Sequence, residues 1–381
     1  MIERAKANAT DLWKSIIFIV LFVKGDKQLK REYRIILKGV LLNKSNEERK
    51  EIDSLLDEFL SWKEIAGILF THRLGGYFFY GLTENQQKKL PIEIREVLKS
   101  VVKVQKEKQL EIAQEIKLVN EELMKSNIHF AALKGAFFSS EMYELGARRS
   151  NDIDLLVYEK DLEDLDICLR KMGYIQSFMT NGQMVEASKK EKLIQRMNYH
   201  DLVPYVKEGK NGNFELDINF LFDNNRNCID KLVYDMGTTL YDGKNYRVTG
   251  LNYYTNLAHL CSHFYREATN TLWTEGRRDV LLYKVVDIMN YIRYYRNKLK
   301  IEKMYTIFKE LNLLDKAYYT FKILLEFYND EFIAEMLNLL KKDINDEEFM
   351  NQIYDFKNKT IILRKESFFE SAFECGAKDG D

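Results

Sequence analysis

Between about residues 47 and 125 the apolar positions recur three and four apart, as in Ile52, Leu55, Leu56, Phe59 and Leu60, and later Ile112, Ile116, Val119 and Leu123. That is the spacing of one helix face, and it predicts a helical N-terminal region over residues 1–125. The period changes at Ile128-His129-Phe130-Ala131-Ala132-Leu133, a short apolar run that reads as a strand ending at Lys134-Gly135. Residues 136–145 then read as a helix, 152–158 as a second strand rich in β-branched and apolar residues, and 161–172 as a second helix. Residues 201–206 and 214–220 are two more candidate strands, on either side of the turn-forming Lys210-Asn211-Gly212-Asn213. The strand section at about 126–222 belongs to a core of 126–250. After Asn252 the helical spacing returns with Leu257, Leu260 and Phe264, then Val280, Leu281 and Tyr283, and a C-terminal helical region over 251–381 is expected to run nearly to the end. The expected fold class is α+β: a small mixed β-sheet core between two helical regions.

Only Pro91 and Pro204 interrupt the chain, and no low-complexity linker divides it. The most apolar run, residues 16–23 (IIFIVLFV), is eight residues long, where a bilayer span takes roughly 20. Glu3 and Asp11 precede it and no small-residue cleavage site follows, so neither a membrane span nor a signal peptide is expected. Hydrophobic residues make up 46% of the chain and aromatic ones 13%, enough apolar surface for a packed core rather than disorder. Fifty-eight basic residues against 59 acidic ones leave a net charge of −1, so charge does not favour nucleic acid as a partner, and a protein partner is as open. Cys168, Cys228, Cys261 and Cys375 are scattered, without metal-site pairing or disulfide density. They read as reduced thiols of a cytoplasmic protein.

In a strand, positions i and i+2 share a face. Asp152 and Asp154 therefore project together, away from Ile153 and Leu155, and the same alternation groups Glu215, Asp217 and Asn219. Paired carboxylates repel unless a cation lies between them, and hard oxygen ligands suit Mg²⁺ or Mn²⁺ carrying nucleotide phosphates. An isolated Asp-x-Asp is usually just a solvated strand face. Here the surrounding LKGAFFSSEMYELGARRSNDIDLLV, residues 133–157, supplies a strand, a glycine turn, a helix and an Asp-Ile-Asp-Leu strand in order.

That stretch resembles the polymerase-β-like nucleotidyltransferase superfamily, and more narrowly its uncharacterised nucleotidyltransferase family often found with peptide natural-product clusters. SWKEIAGILFTHRL (61–74) and DLEDLDICLRKMGY (161–174) extend the resemblance over about 55–290. It implies transfer of a nucleoside monophosphate from an NTP such as ATP, with Mg²⁺ or Mn²⁺ held by Asp152 and Asp154, and with Asp217 as third carboxylate. Gly135 would let the backbone approach the triphosphate, although the usual Gly-Gly or Gly-Ser turn is here Lys134-Gly135-Ala136 and Lys134 would supply charge in place of the serine. Arg148, with Arg149 as competitor, would hold a phosphate or pair with a metal-binding carboxylate. Asn219 stands where relatives often carry histidine. From the C-terminal region, Arg278 and Lys284 would complete the nucleotide pocket, while Lys284 and Asp287 fit a surface ion pair nearly as well. His200 could reach the site; His259 and His263, four apart, read as a helix face. The acceptor stays open among protein or peptide, small molecule and RNA. A degenerate binding or assembly subunit, or a toxin modifying tRNA or protein, are the alternatives.

Overall fold

The computed structural model describes residues 29–223, 233–274, 276–279 and 281–373; the apolar run 16–23 lies outside them. The described residues begin with α1 (Arg31–Gly39), α2 (Asn46–Leu56), α3 (Trp62–Thr71), α4 (Gly75–Gly81), α5 (Glu84–Lys88) and the long α6 (Ile92–Lys125). Local chemistry fixes several of their starts. Ser45 with Glu48 and Thr83 with Gln86 form capping boxes at α2 and α5, each satisfying two otherwise orphan amides. The predicted stripe Ile112, Ile116, Val119 and Leu123 is the buried face of α6.

The sheet section runs β1 (Phe130–Ala132), α7 (Lys134–Glu141), β2 (Ile153–Val157), α8 (Leu162–Lys171), β3 (Ile175–Thr180), β4 (Gln183–Glu186), α9 (Lys189–Asn198), β5 (Tyr205–Gly209), β6 (Gly212–Asn219), β7 (Thr238–Asp242) and β8 (Arg247–Leu251). These make one mixed sheet in the order β4-β3-β5-β6-β2-β1-β8-β7. β2 runs antiparallel to β1 and parallel to β6. Then come α10 (Tyr253–Ala268), α11 (Thr271–Thr274), α12 (Leu282–Tyr294), α13 (Ile301–Glu310), α14 (Leu314–Phe327), α15 (Glu331–Leu340), a hairpin of β9 (Gln352–Asp355) and β10 (Thr360–Leu363), and α16 (Phe368–Phe373).

Three expectations need correction. The strand expected at 201–206 starts only at Tyr205; Asp201 makes a single bridge to Asn219, because Pro204 has no N–H to give a ladder. The turn after it is tighter than expected, with Gly209 paired to Gly212. The C-terminal region is not helical nearly to the end, since β9 and β10 interrupt it. One continuous apolar core runs from Tyr33 through Leu155 and Phe222 to Phe373 and joins both helical regions to the sheet.

His72 stitches that core at a distance in sequence. Its Nε2–H donates to the Ala372 carbonyl at 2.8 Å, and its Nδ1 accepts the Leu282 amide at 3.2 Å. Burial pushes its pKa down to about 4. A base depressed in the folded state leaves the unfolded chain binding more protons between its own pKa and about 6.5. Stability from this group is therefore complete above about pH 6.5 and falls as pH drops toward 4, by about 3 kcal/mol in all. Denaturant unfolding from pH 7 to 4 checks it: His72→Gln is expected to flatten that limb, and an unchanged acid slope would rule the histidine out as its cause.

Candidate active site

The parallel register of β2 and β6 sets Asp154 directly beside Asp217. Alternation then gathers Asp152 and Asp154 with Glu215 and Asp217, while Ile153, Leu155, Leu216 and Ile218 enter the core. Asp154 is only 5% exposed. Burial first, then the charges of Asp154 and Asp152, push the Asp217 carboxyl up to about 8. Burial likewise raises Asp154, with Lys134 opposing the shift and Asp152 adding to it, and burial with the same two aspartates raises Glu215.

Lys134 supplies the nearest countercharge. Its Nζ donates to Asp154 Oδ1 at 2.7 Å, and Lys134 opens α7 with a φ of 40°, a left-handed conformation uncommon for a residue with a Cβ. Gly135 follows. A Cβ there would collide with Ser150 Oγ and sit 2.8 Å from Arg148 Nη1, so its lack of a side chain lets the helix start close onto the segment before β2. That is where the glycine is needed sterically; it does not line the large cleft beside the carboxylates.

Arg148 is only 8% exposed and already engaged. Its Nε donates to Asp287 Oδ2 at 2.9 Å, and the Tyr77 and Tyr143 hydroxyls donate to Asp287 Oδ1 at 2.8 and 3.0 Å. The Asp287 network thus ties α4 and the segment after α7 to α12. Lys284 is buried beside it with different partners: a close ion pair with Glu267, the Arg278 carbonyl at 2.6 Å and the Trp273 ring at 5.2 Å. The expected surface ion pair between Lys284 and Asp287 is therefore corrected, because α12 turns both side chains inward toward separate counterions.

A cleft of about 570 Å³ opens over this face and brings together Asp152, Asp154, Asp217, Lys134, Arg148 and Lys284. His200 also lines it, its imidazole pushed down to about 2 by burial, then by Arg266 and Lys134. His259 and His263 are not a plain helix face: His263 lines the cleft, and His259, 2% exposed, leaves Nδ1 without a partner among the described residues. Asn219 is directed at the Leu155 carbonyl, 3.4 Å away. Sequence reasoning missed Arg266, Gln195 and Asp201, the last two joined at 2.9 Å. The signal for Arg266 was its place three residues beyond His263, on the same turn-to-turn stripe of α10.

Carboxylate oxygens on neighbouring strands are the donor chemistry that Mg²⁺ and Mn²⁺ take. Among the described residues, no three acidic, histidine or cysteine side chains already enclose one point as a metal cage. One oxygen of Asp154 faces Lys134 instead.

The sequence pattern described as "uncharacterised nucleotidyltransferase" matches residues 60–329. No curated protein matches the chain. Among solved structures, an antigenic nucleotidyltransferase-like protein from Paracoccidioides brasiliensis is similar over 49% of this chain and 87% of its own, at 13% identity and a TM-score of 0.29. A likeness so slight carries no argument here. No helix among the described residues is long and apolar enough to cross a membrane.

Proposed function

Because the chain belongs to the uncharacterised nucleotidyltransferase family, we propose that it moves a nucleoside monophosphate from an NTP to an acceptor hydroxyl or amine. The observation that carries this reading is the register that sets Asp154 beside Asp217, with Asp152 on the same face. In the reaction an acceptor oxygen or nitrogen bonds to the α-phosphorus, the bond from that phosphorus to the β-phosphate oxygen breaks, and pyrophosphate leaves. Mg²⁺ or Mn²⁺ held by Asp152, Asp154 and Asp217 would supply charge neutralisation at the phosphates. Asp217, the third carboxylate, takes the acceptor's proton. Lys134 exchanges Asp154 for a phosphate oxygen, and Gly135 keeps the start of α7 packed so that this lysine is held at the carboxylates. Arg148 and Lys284 keep their own counterions and act by shaping the wall.

One observation favours a second reading, a binding or assembly subunit: the Lys134 ammonium already stands on Asp154. The two are separated by incubating the protein with each α-labelled NTP, Mg²⁺ or Mn²⁺, and peptide, small-molecule and RNA acceptors. Label transfer is expected, and Asp152→Ala combined with Asp154→Ala should lower it at least about 10³-fold. Undiminished transfer in that variant would remove the catalytic assignment; no transfer together with no Mn²⁺ binding would establish the subunit.

A further inference from the structure

The helices α3, α6, α8 and α13 close in the same turn. In each the chain turns left-handed, and the next amide donates to a carbonyl five residues earlier: Leu74 to Leu69, Ile128 to Leu123, Tyr174 to Leu169 and Leu313 to Phe308. Glycine suits that turn best and asparagine next, because other side chains crowd their own backbone there. Asn127, Gly173 and Asn312 follow the rule, whereas α3 places Arg73 in the turn at a φ of 59°. The four-residue α11 closes likewise at Arg277. Of these two arginines it is Arg73 that lines the cleft. A strained backbone position occupied by a cation at the substrate space points to a use for its side chain.

The Arg73 guanidinium lies over the ring of Tyr283, 5.5 Å from its centroid, and that of Arg148 stands 5.8 Å from the same ring. Tyr283, half-buried on α12, thereby holds Arg73 against the cleft wall without using its N–H donors. Lys134, Arg148 and Lys284 are each matched, to Asp154, Asp287 and Glu267. Arg73 is exposed, and among the described residues no carboxylate pairs with it. In the proposed reaction the α-phosphorus lies over Asp152, Asp154 and Asp217, while the two outer phosphates carry most of the triphosphate's charge. Those phosphates gain most from a cation that no carboxylate already neutralises, and a guanidinium fork matches their oxygens. We propose that Arg73 grips the outer phosphates of the NTP, so that the N-terminal helical region completes the nucleotide site. The nucleotide rests on the transferase reading; a polyphosphate site at Arg73 does not.

The probes are inorganic tripolyphosphate, the four α,β-methylene NTP analogues and the four nucleoside monophosphates, each titrated calorimetrically with Mg²⁺. Tripolyphosphate and the tightest analogue should bind at least about tenfold more weakly to Arg73→Gly and to Arg73→Asn, and at an intermediate level to Arg73→Lys. Monophosphate affinity should not change. Because glycine relieves the left-handed turn, the unfolding midpoint of Arg73→Gly should rise even as binding weakens. Wild-type protein that binds no tripolyphosphate, or an Arg73→Gly variant that binds it equally well, would overturn the site. A lower midpoint in Arg73→Gly would make Arg73 a packing residue and overturn it too. Equal weakening of monophosphate binding would move Arg73 to the α-phosphate and refute the assignment to the outer ones. Failure of the transferase reading appears separately, as absent label transfer while tripolyphosphate binding still depends on Arg73.

Discussion

Asparagine at position 217 is expected to lower nucleotidyl transfer at least about 10³-fold while making the metal-free protein more stable at neutral pH. The two effects share one cause. The Asp217 carboxyl is pushed up to about 8 by burial and by Asp154 and Asp152, so the native state pays to keep it either charged or protonated at neutral pH. An acid whose folded pKa lies above its unfolded value contributes stability that is intact below about pH 4 and is lost as pH rises toward 8. Asparagine keeps the shape and removes the repulsion, which should return on the order of 2 kcal/mol near pH 8, after allowance for solvent screening, and almost nothing at pH 4. Denaturant unfolding at both pH values, beside the transfer assay, measures it. A variant less stable than the parent at pH 8, or one that still transfers at the parent rate, would remove Asp217 from the site.

The second large effect concerns folding. Asp287→Ala is expected to destabilise the protein by roughly 3–5 kcal/mol, because it leaves the buried Arg148 charge without its partner. Two tyrosine hydroxyls, of Tyr77 and Tyr143, lose their acceptor in the same step. Removing Arg148 as well should recover much of the loss, since an apolar pair costs less than one stranded charge. A double-mutant cycle of Asp287→Ala with Arg148→Met, followed by urea unfolding, gives the coupling directly. A loss below about 1 kcal/mol for Asp287→Ala would show that water reaches Arg148 and that the network is not what ties α12 to α4.

The parts of the fold that were legible in the sequence are those with a strong local period. The α6 stripe at Ile112, Ile116, Val119 and Leu123 and the alternation through Asp152 to Val157 need only the geometry of a single helix or strand. β3, β4 and β7 were not legible, because their outward positions are largely exposed and their sequences carry no apolar run. β10, Thr360-Ile361-Ile362-Leu363, carries an apolar run but is exposed along its whole length. Asp201 looked like the start of a strand because its neighbours are apolar, yet Pro204 delays pairing until Tyr205.

At the site, the sequence by itself determined that Asp152 and Asp154 share a face and that Asp217 shares one with Glu215, since a period of two belongs to the strand backbone. Only the tertiary structure decided that those faces meet, because register between strands far apart in sequence is set by burial of Ile153, Leu155, Leu216 and Ile218 together. It also decided which cations are matched. Charge pairing depends on distances across the packed core, so Arg148 and Lys284 found Asp287 and Glu267, while Arg266 of α10 lines the cleft.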